Sequence, residues 1–565
     1  MAARCVALPS PIAAMMNPTN RCCLLSPFLL LAWSAPAQEP QRAPRNDTGG
    51  VLIPEEACYD VKHYDLVLTV DPAAKTIEGT LTMRAALTGP APKLALDLDG
   101  ELTVRGAKLD GSVVPFLHEN GRIWITPPKS LEAGVEIAVE VAYGGTPHEA
   151  RRPPWDGGFT WKKTKDGEPW IATSCQGEGA DLWWPCKDHP SDKPDGVDLH
   201  IAVPKGLVVA SNGTLQGKPK VDGKQTIFHW HVASPISNYC IALNIAPYVE
   251  LDDTFTCIDG TKMPIQFFVL PESVEKAKRC MKQFLDHVKC FEEILGPYPF
   301  RAEKYGIAET PHLGMEHQTI IAYGNGWKDE KYDWLHNHEL SHEWWGNLVT
   351  CRDWKDMWIH EGFGTYMQPL YRERRFGRAA YQEEMNKART MNRSPLAPRE
   401  SKTGHEIYFG ASGNDIYYKG SWVLHTLRWQ MGDDKFFQAL REFCYPTEAA
   451  RKATDGSQVR LVDTDEFVAL CSKIAGEDLA WFFEVYVRQP HLPRLQSEKQ
   501  DGVLKLRWET PQDLPFALPV PVVLKGKEVR VEMKGGKGEL KVGDAEYTID
   551  PEQRMLIERP KQSRR

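Results

Sequence analysis

His338 and His342 stand four residues apart in His338-Glu339-Leu340-Ser341-His342. On a helix, both imidazoles then leave one face and can reach a single ion, with Glu339 lying beside the open coordination position as a base. Glu361 follows His342 after 18 residues, within Asp356-Met357-Trp358-Ile359-His360-Glu361-Gly362-Phe363. A carboxylate there completes a His, His, Glu set and leaves the fourth position to water, the arrangement of a catalytic zinc (Zn2+) rather than a closed structural one. Among 17 histidines an accidental HExxH is expected at roughly a few per cent, so Glu361 is what makes the pattern specific. A metzincin would need Gly at position 345 and His at position 348, where this chain has Trp345 and Leu348. Taken singly, His317 and His425 read as packed or hydrogen-bonded histidines.

The spacing predicts a helix from about Asp333 to Gly346 to carry the first pair, and a second, antiparallel helix to carry Glu361. A further amphipathic helix opens at Ser273, with Ala277, Cys280, Phe284, Val288 and Phe291 on one face, Ser273 as N-cap and Gly296 as stop. Upstream the period is two, as in Leu66, Leu68, Val70 and in Val135, Ile137, Val139, Val141, which reads as half-buried strands. Alternation returns after Gln489-Pro490, in Leu504, Leu506, Trp508 and in Val529, Val531, Met533. The expected organisation is multidomain α+β: an N-terminal all-β domain (56–248), a mainly helical catalytic domain (249–490) and a small C-terminal β-sandwich (491–560).

With 565 residues, 42% apolar and 25% charged, the composition is that of a soluble globular protein, and disorder, collagen and polytopic membrane proteins are excluded. The net charge of -8 is dispersed, and no Lys/Arg stripe alternates with aromatics, so no nucleic-acid partner is expected. Residues 22–33 form an apolar run preceded by Arg4 and Arg21 and followed by Ala35-Pro36-Ala37. This reads as a secretory signal peptide over 1–37, with a flexible leader over 38–55, an exported (periplasmic or extracellular) chain and no membrane span after cleavage. Ten of the 13 cysteines lie beyond that segment, without a CxxC pair, and are expected to be a mixture of buried thiols and a few bridges.

HELSHEWWGNLVT followed by WIHEGFGTY resembles the aminopeptidase N family of zinc exopeptidases (gluzincins), which includes leukotriene hydrolase. Gly314-Met315-Glu316-His317 resembles its Gly-x-Met-Glu-Asn motif and Tyr417-Tyr418-Lys419-Gly420 its Tyr-x-Lys-Gly motif. Thr173-Ser174-Cys175-Gln176 and Pro185-Cys186 are similar to the β-domain segment that reaches the family's active site. The likeness covers about residues 55–495. It implies a thermolysin-like catalytic domain, with His338, His342 and Glu361 holding one zinc and Glu339 as general base. It also implies that Gly314, Met315, Glu316 and Gln176 bind substrate, Glu316 and Gln176 at the free α-ammonium, and that Tyr417 donates to the oxyanion. His317 and His360 stand where the family has Asn, Ser174 where it often has Gln, and Gln176 brings one charge less than Glu. The chain stops after the small β-domain, whereas family members commonly continue into a large helical domain, which predicts a more open cavity.

The expected activity is zinc-dependent removal of N-terminal residues from peptides with a free N-terminus. A degenerate peptide-binding module, an endopeptidase and an epoxide hydrolase are the competing readings.

Overall fold

The computed structural model describes residues 47–388, 394–410 and 413–558. The signal segment, and the leader up to residue 46, lie outside these residues.

The alternating N-terminal segments assemble into a nine-stranded sheet. Three of its strands recur below: β1 (Tyr59–Asp71), β2 (Gly196–Pro204) and β3 (Gln225–Val232). β1 and β2 pair in parallel, and β2 and β3 antiparallel. Tyr64, Leu66 and Leu68 of β1, with Leu199 and Ile201 of β2, point into the core at 0–1% exposure, and the alternate residues face outward. A four-stranded sheet follows, in which Pro169–Ser174 is a central strand, and that strand ends two residues before Gln176.

The next sheet has five strands, in the order Val249–Thr256, Lys262–Val269, Tyr305–Glu309, Ile321–Tyr323 and Gly314–Met315. The segment expected to be mainly helical therefore opens with a mixed sheet. Tyr305–Glu309 and Ile321–Tyr323 are short and buried at every residue, so they show no alternation from which a strand could be read.

Helix α1 (Val274–Leu295) runs where the periodicity places it, but Ser273 does not cap it. A preceding 3-10 turn holds Ser273 at φ -95°, ψ -12°, and its hydroxyl donates instead to Glu309 Oε1 at 2.7 Å. Helix α2 (Trp334–Ser341) is shorter than expected. Its N-cap is Asp333, whose carboxylate accepts from His336 N, and it ends at Ser341 because the chain tightens into i→i+3 turns from His342 to Trp344. Phe284 of α1 stacks flat on His336 of α2 with centroids 3.7 Å apart, which seats α2 on the core.

Helix α3 (Trp358–Phe376) and helix α4 (Asp415–Met431) cross at glycines. A Cβ on Gly362 would stand 2.9 Å from Gly420 Cα, and one on Gly420 2.8 Å from Gly362 Cα, so both positions need glycine for this approach. Gly364 likewise admits α2, since a Cβ there would lie 2.9 Å from Ser341 Oγ and 3.0 Å from His342 Cε1.

Residues 494–549 fold into two three-stranded sheets, tied to α4 where Trp429 Nε1 donates to Pro519 O at 2.9 Å. All ten cysteines from Cys58 to Cys471 are buried and unpaired, so the expected bridges are absent. Among the described residues no helix is long and apolar enough to cross a membrane.

Candidate metal centre and substrate cavity

Helices α2 and α3 bring together the three residues whose spacing suggested a metal. His338 Nε2 and His342 Nε2 are 3.2 Å apart, and Glu361 Oε2 lies 3.4 Å from the first and 3.6 Å from the second. A tetrahedral zinc with bonds near 2.05 Å has ligand edges of about 3.3 Å, so this triangle has the dimensions the ion requires. Glu361 Oε2 is buried without a hydrogen-bond partner, and it is the oxygen turned toward the two imidazoles. The donor set and this orphaned oxygen fit a divalent ion.

The surroundings hold these groups in place. His342 Nδ1 meets Trp345 O at 2.8 Å, a contact that needs the tight turn ending α2 and leaves Nε2 free as the ligand atom. Glu361 sits in the first turn of α3, and its Oε1 accepts from Gln176 Nε2 and from Tyr408 OH, each at 3.0 Å. Burial opposes the charge on Glu361, but the adjacent His338 and His342 imidazoles and the Tyr408 phenol bring its carboxyl down to about 2. Burial lowers His338, which keeps its imidazole in the neutral form that ligates.

Glu339 and Glu316 close the same end of the cavity, and their carboxylates lie within 4.8 Å of each other and of a His342 nitrogen. Burial pushes Glu339 well above the usual carboxylate range, with Glu316 and Glu361 adding to the shift. Glu316 is raised by burial and by Glu361. Its Oε1 accepts from Tyr239 OH at 3.0 Å and from Gln176 Nε2. Gln176 thus bridges Glu316 and Glu361, spending its amide hydrogens on both and leaving Oε1 as an acceptor.

Gly314 and Met315 form the edge strand that hands the chain to Glu316. A Cβ on Gly314 would lie 2.5 Å from Glu339 Oε1, so only glycine lets that carboxylate rest against the strand. Tyr417, in the first turn of α4, has its ring centroid 6.0 Å from that of His338, and burial keeps its phenol protonated well past the ordinary range.

Apart from His342 and Tyr239, these residues line one cavity of about 750 Å³, which also takes in Leu335 and Thr365. Its wall includes four exposed aromatics: Trp155 at 62%, Trp334 at 45%, Phe409 at 40% and Tyr418 at 36%. The structure therefore gathers His338, Glu339, His342, Glu361, Glu316, Gly314, Met315, Gln176 and Tyr417 at one site.

Two histidines that depart from the family motifs are placed apart from the ligand atoms. His360 Nε2 accepts from Cys351 N at 3.0 Å, which pins a strand behind α3. His317 is fully buried, and burial lowers it to about 3. Tyr408 and Tyr239 were not singled out in the sequence. Tyr408 belongs to no motif, whereas Tyr239 lies in the segment that leaves the β-domain, where aromatic residues are common enough to hide a functional one.

The sequence matches the peptidase M1 N-terminal domain over residues 60–240 and the peptidase family M1 domain over residues 314–486. It is 24% identical to leukotriene A-4 hydrolase of Xenopus laevis, over 69% of this chain and 65% of that protein. It is 22% identical to aminopeptidase M1 of Arabidopsis thaliana, over 85% of this chain and 57% of that protein. The chain thus spans less than two thirds of these curated relatives. An M1 zinc metallopeptidase of Deinococcus radiodurans, solved as a mutant bound to a Tyr-Ser-Ala substrate, shares the fold with a TM-score of 0.63 at 23% identity, over 77% of this chain and 95% of that one. Both halves of the family's signature, the β-domain and the HExxH domain, are present in order, and the chain belongs to peptidase family M1.

Proposed function

We propose that the protein is a zinc-dependent aminopeptidase that hydrolyses the N-terminal peptide bond of peptides with a free α-amine. One observation carries the reading. Three buried carboxylates, Glu316, Glu339 and Glu361, converge on one end of the cavity, and among the described residues none of them has a Lys or Arg ion-pair partner. A divalent cation and an α-ammonium bring three positive charges to these three negative ones. Buried charges persist only when compensated in this way. The M1 relatives named as aminopeptidases and the Tyr-Ser-Ala complex of the Deinococcus enzyme support the same substrate class.

His338, His342 and Glu361 would hold the zinc. When bound, it supplies Lewis acidity, drawing charge from the scissile carbonyl and lowering the pKa of the attacking water. Glu339 takes that water's proton and passes it to the leaving amine. Its raised affinity for a proton, set by burial and by Glu316 and Glu361, suits a group that must accept and then deliver one. Glu316, held by Tyr239 and Gln176, pairs with the ammonium, and Gln176 Oε1 offers a further acceptor. An internal or acetylated amide brings no charge to this carboxylate, which makes the site selective for a free terminus. Tyr417 donates its hydroxyl to the carbonyl oxygen as negative charge builds there. Residues beyond the scissile bond leave through the aromatic wall of Trp155, Trp334, Phe409 and Tyr418, so apolar side chains there are favoured.

We also infer that the chain is exported, which rests on the apolar segment 22–33 and on the Ala35-Pro36-Ala37 that follows it.

The test is hydrolysis of aminoacyl fluorogenic amides and their N-acetylated forms, with and without a chelator. Cleavage confined to free amines, lost on chelation and restored by zinc, is expected. Glu339→Gln should lower kcat by about 10²–10⁴-fold with zinc content unchanged. Wild-type turnover in that variant, or equal cleavage of acetylated substrates, overturns the proposal. Stoichiometric peptide binding by the zinc-loaded protein without turnover would instead indicate a binding module.

A further inference from the structure

We propose that the outer face of the nine-stranded sheet carries a second metal site, in which His63, Asp198 and His231 bind a divalent transition ion such as Zn2+. The backbone register assembles it. Asp65 of β1 lies opposite Asp198 of β2, and Asp198 lies opposite His231 of β3, while His200 faces His229 one step along. Because the alternate residues fill the core, His63, Asp65, Asp198, His200, His229 and His231 share the solvent side of three adjacent strands.

Asp198 is the hub. Its Oδ2 lies 3.0 Å from His63 Nε2, and its Oδ1 lies 3.0 Å from His231 Nδ1 and 2.7 Å from His229 Nε2. The donor atoms of His63, Asp198 and His231 all fall within 4.8 Å of one another, a span that one ion bridges. Among the described residues Asp198 has no Lys or Arg partner, so its charge is met by imidazoles alone.

Gly196 makes room for the arrangement. A Cβ there would press on Val232 O at 3.1 Å and stand 3.4 Å from His63 Cδ2, so the His63 ring lies over a residue with no side chain and leans toward Asp198. The three side chains are half-buried, at 26%, 23% and 38% exposure, which leaves water access to the remaining coordination positions. His229, hydrogen-bonded to Asp198, orients the carboxylate, and its ring stacks on His200 with centroids 4.0 Å apart. Two imidazoles and one carboxylate select Zn2+, Ni2+ or Cu2+ over Ca2+ or Mg2+, which prefer all-oxygen shells. The ligands stand on strands rather than loops, so the ion would clamp β1, β2 and β3 together and raise the stability of the β-domain.

The test counts zinc in the full chain after chelator stripping, reloading and dialysis. Two equivalents per chain are expected in the wild type, and one in a His63→Ala/His231→Ala double variant that keeps wild-type peptide hydrolysis. Glu361→Ala, which addresses the proposed active site, should also keep one equivalent but lose activity. Asp198→Asn, a near-isosteric change, gives a second route to the same loss. In Co2+-loaded Glu361→Ala protein, visible ligand-field absorption should persist and should disappear when Asp198→Asn is added. A single equivalent in the wild type, or a second equivalent that survives both sheet variants, overturns the proposal without bearing on the aminopeptidase reading.

Discussion

Replacing Gly314 by alanine adds one methyl group at the point where the edge strand meets Glu339, the proposed general base. The new Cβ would stand 2.5 Å from Glu339 Oε1 and 2.8 Å from Leu335 Cδ1. Carbon and oxygen at ordinary contact need roughly 3.5 Å, so the carboxylate must retreat by about 1 Å. Both clashing atoms are the far ends of side chains, so the backbone stays in place and the cost to folding is small. The chemistry does not escape as lightly, since a misplacement of about 1 Å lowers turnover by about 10²-fold, equivalent to about 2.7 kcal/mol of transition-state stabilisation. The assay is steady-state hydrolysis of an aminoacyl fluorogenic amide, with zinc content and thermal midpoint measured on the same preparation. We expect kcat to fall about 100-fold, KM to change by less than about 3-fold, and one catalytic zinc to remain bound. A kcat within 3-fold of wild type would refute the argument that glycine is required for the placement of Glu339. Loss of zinc along with activity would show that the methyl group disturbs α2 itself rather than the base.

Other outcomes follow from the same geometry. Tyr408→Phe removes the hydroxyl that donates to Glu361 Oε1 and should weaken zinc affinity by about 10–100-fold, read by competition with a chelating dye; unchanged affinity would remove Tyr408 from the metal's support. Burial lowers His287, His317 and His425 to about 3 and His312 to about 4, so the unfolded chain binds more protons below its ordinary histidine pKa of about 6.5. Stability is therefore whole above that pH and falls as pH drops from about 6.5 toward 4, by up to about 1.4 kcal/mol per pH unit for each histidine; a urea midpoint that stays flat across this window would contradict the burial of these groups as neutral rings. Trp155→Ala and Phe409→Ala should raise KM for peptides with apolar residues after the scissile bond, with little change for a simple aminoacyl amide; equal effects on both substrates would place these rings outside the path of the leaving chain.

The metal chemistry is written in the sequence because its spacing is local. Four residues make one helical turn, so His338 and His342 converge on whatever helix carries them, and Glu361 adds the third donor once a second helix packs alongside. The β-domain was legible for a similar reason, since alternation survives wherever a sheet has one wet face. Where both faces are buried, as in Tyr305–Glu309 and Ile321–Tyr323, the signal vanishes, and a five-stranded sheet stands in a segment that reads as helical. The end of α2 escaped for another reason: no Gly or Pro marks a stop between His342 and Trp345, yet the turn there is what lets Trp345 O reach His342 Nδ1.

What only the tertiary structure decided are the contacts between residues far apart in the chain. Gln176 comes from the β-domain and Glu316 from the residue that follows an edge strand, 140 residues away, and nothing in either segment announces that one amide will bridge Glu316 to Glu361. Tyr239 and Tyr408 become supports of the site only because separate elements fold their hydroxyls onto its carboxylates. The His63, Asp198 and His231 cluster is of the same kind, since its residues sit at unremarkable intervals and meet through strand register. Local periodicity sets which face of an element a residue occupies, while the pairing of elements sets which residues meet, and it is the meeting of charges and donors across elements that makes a site.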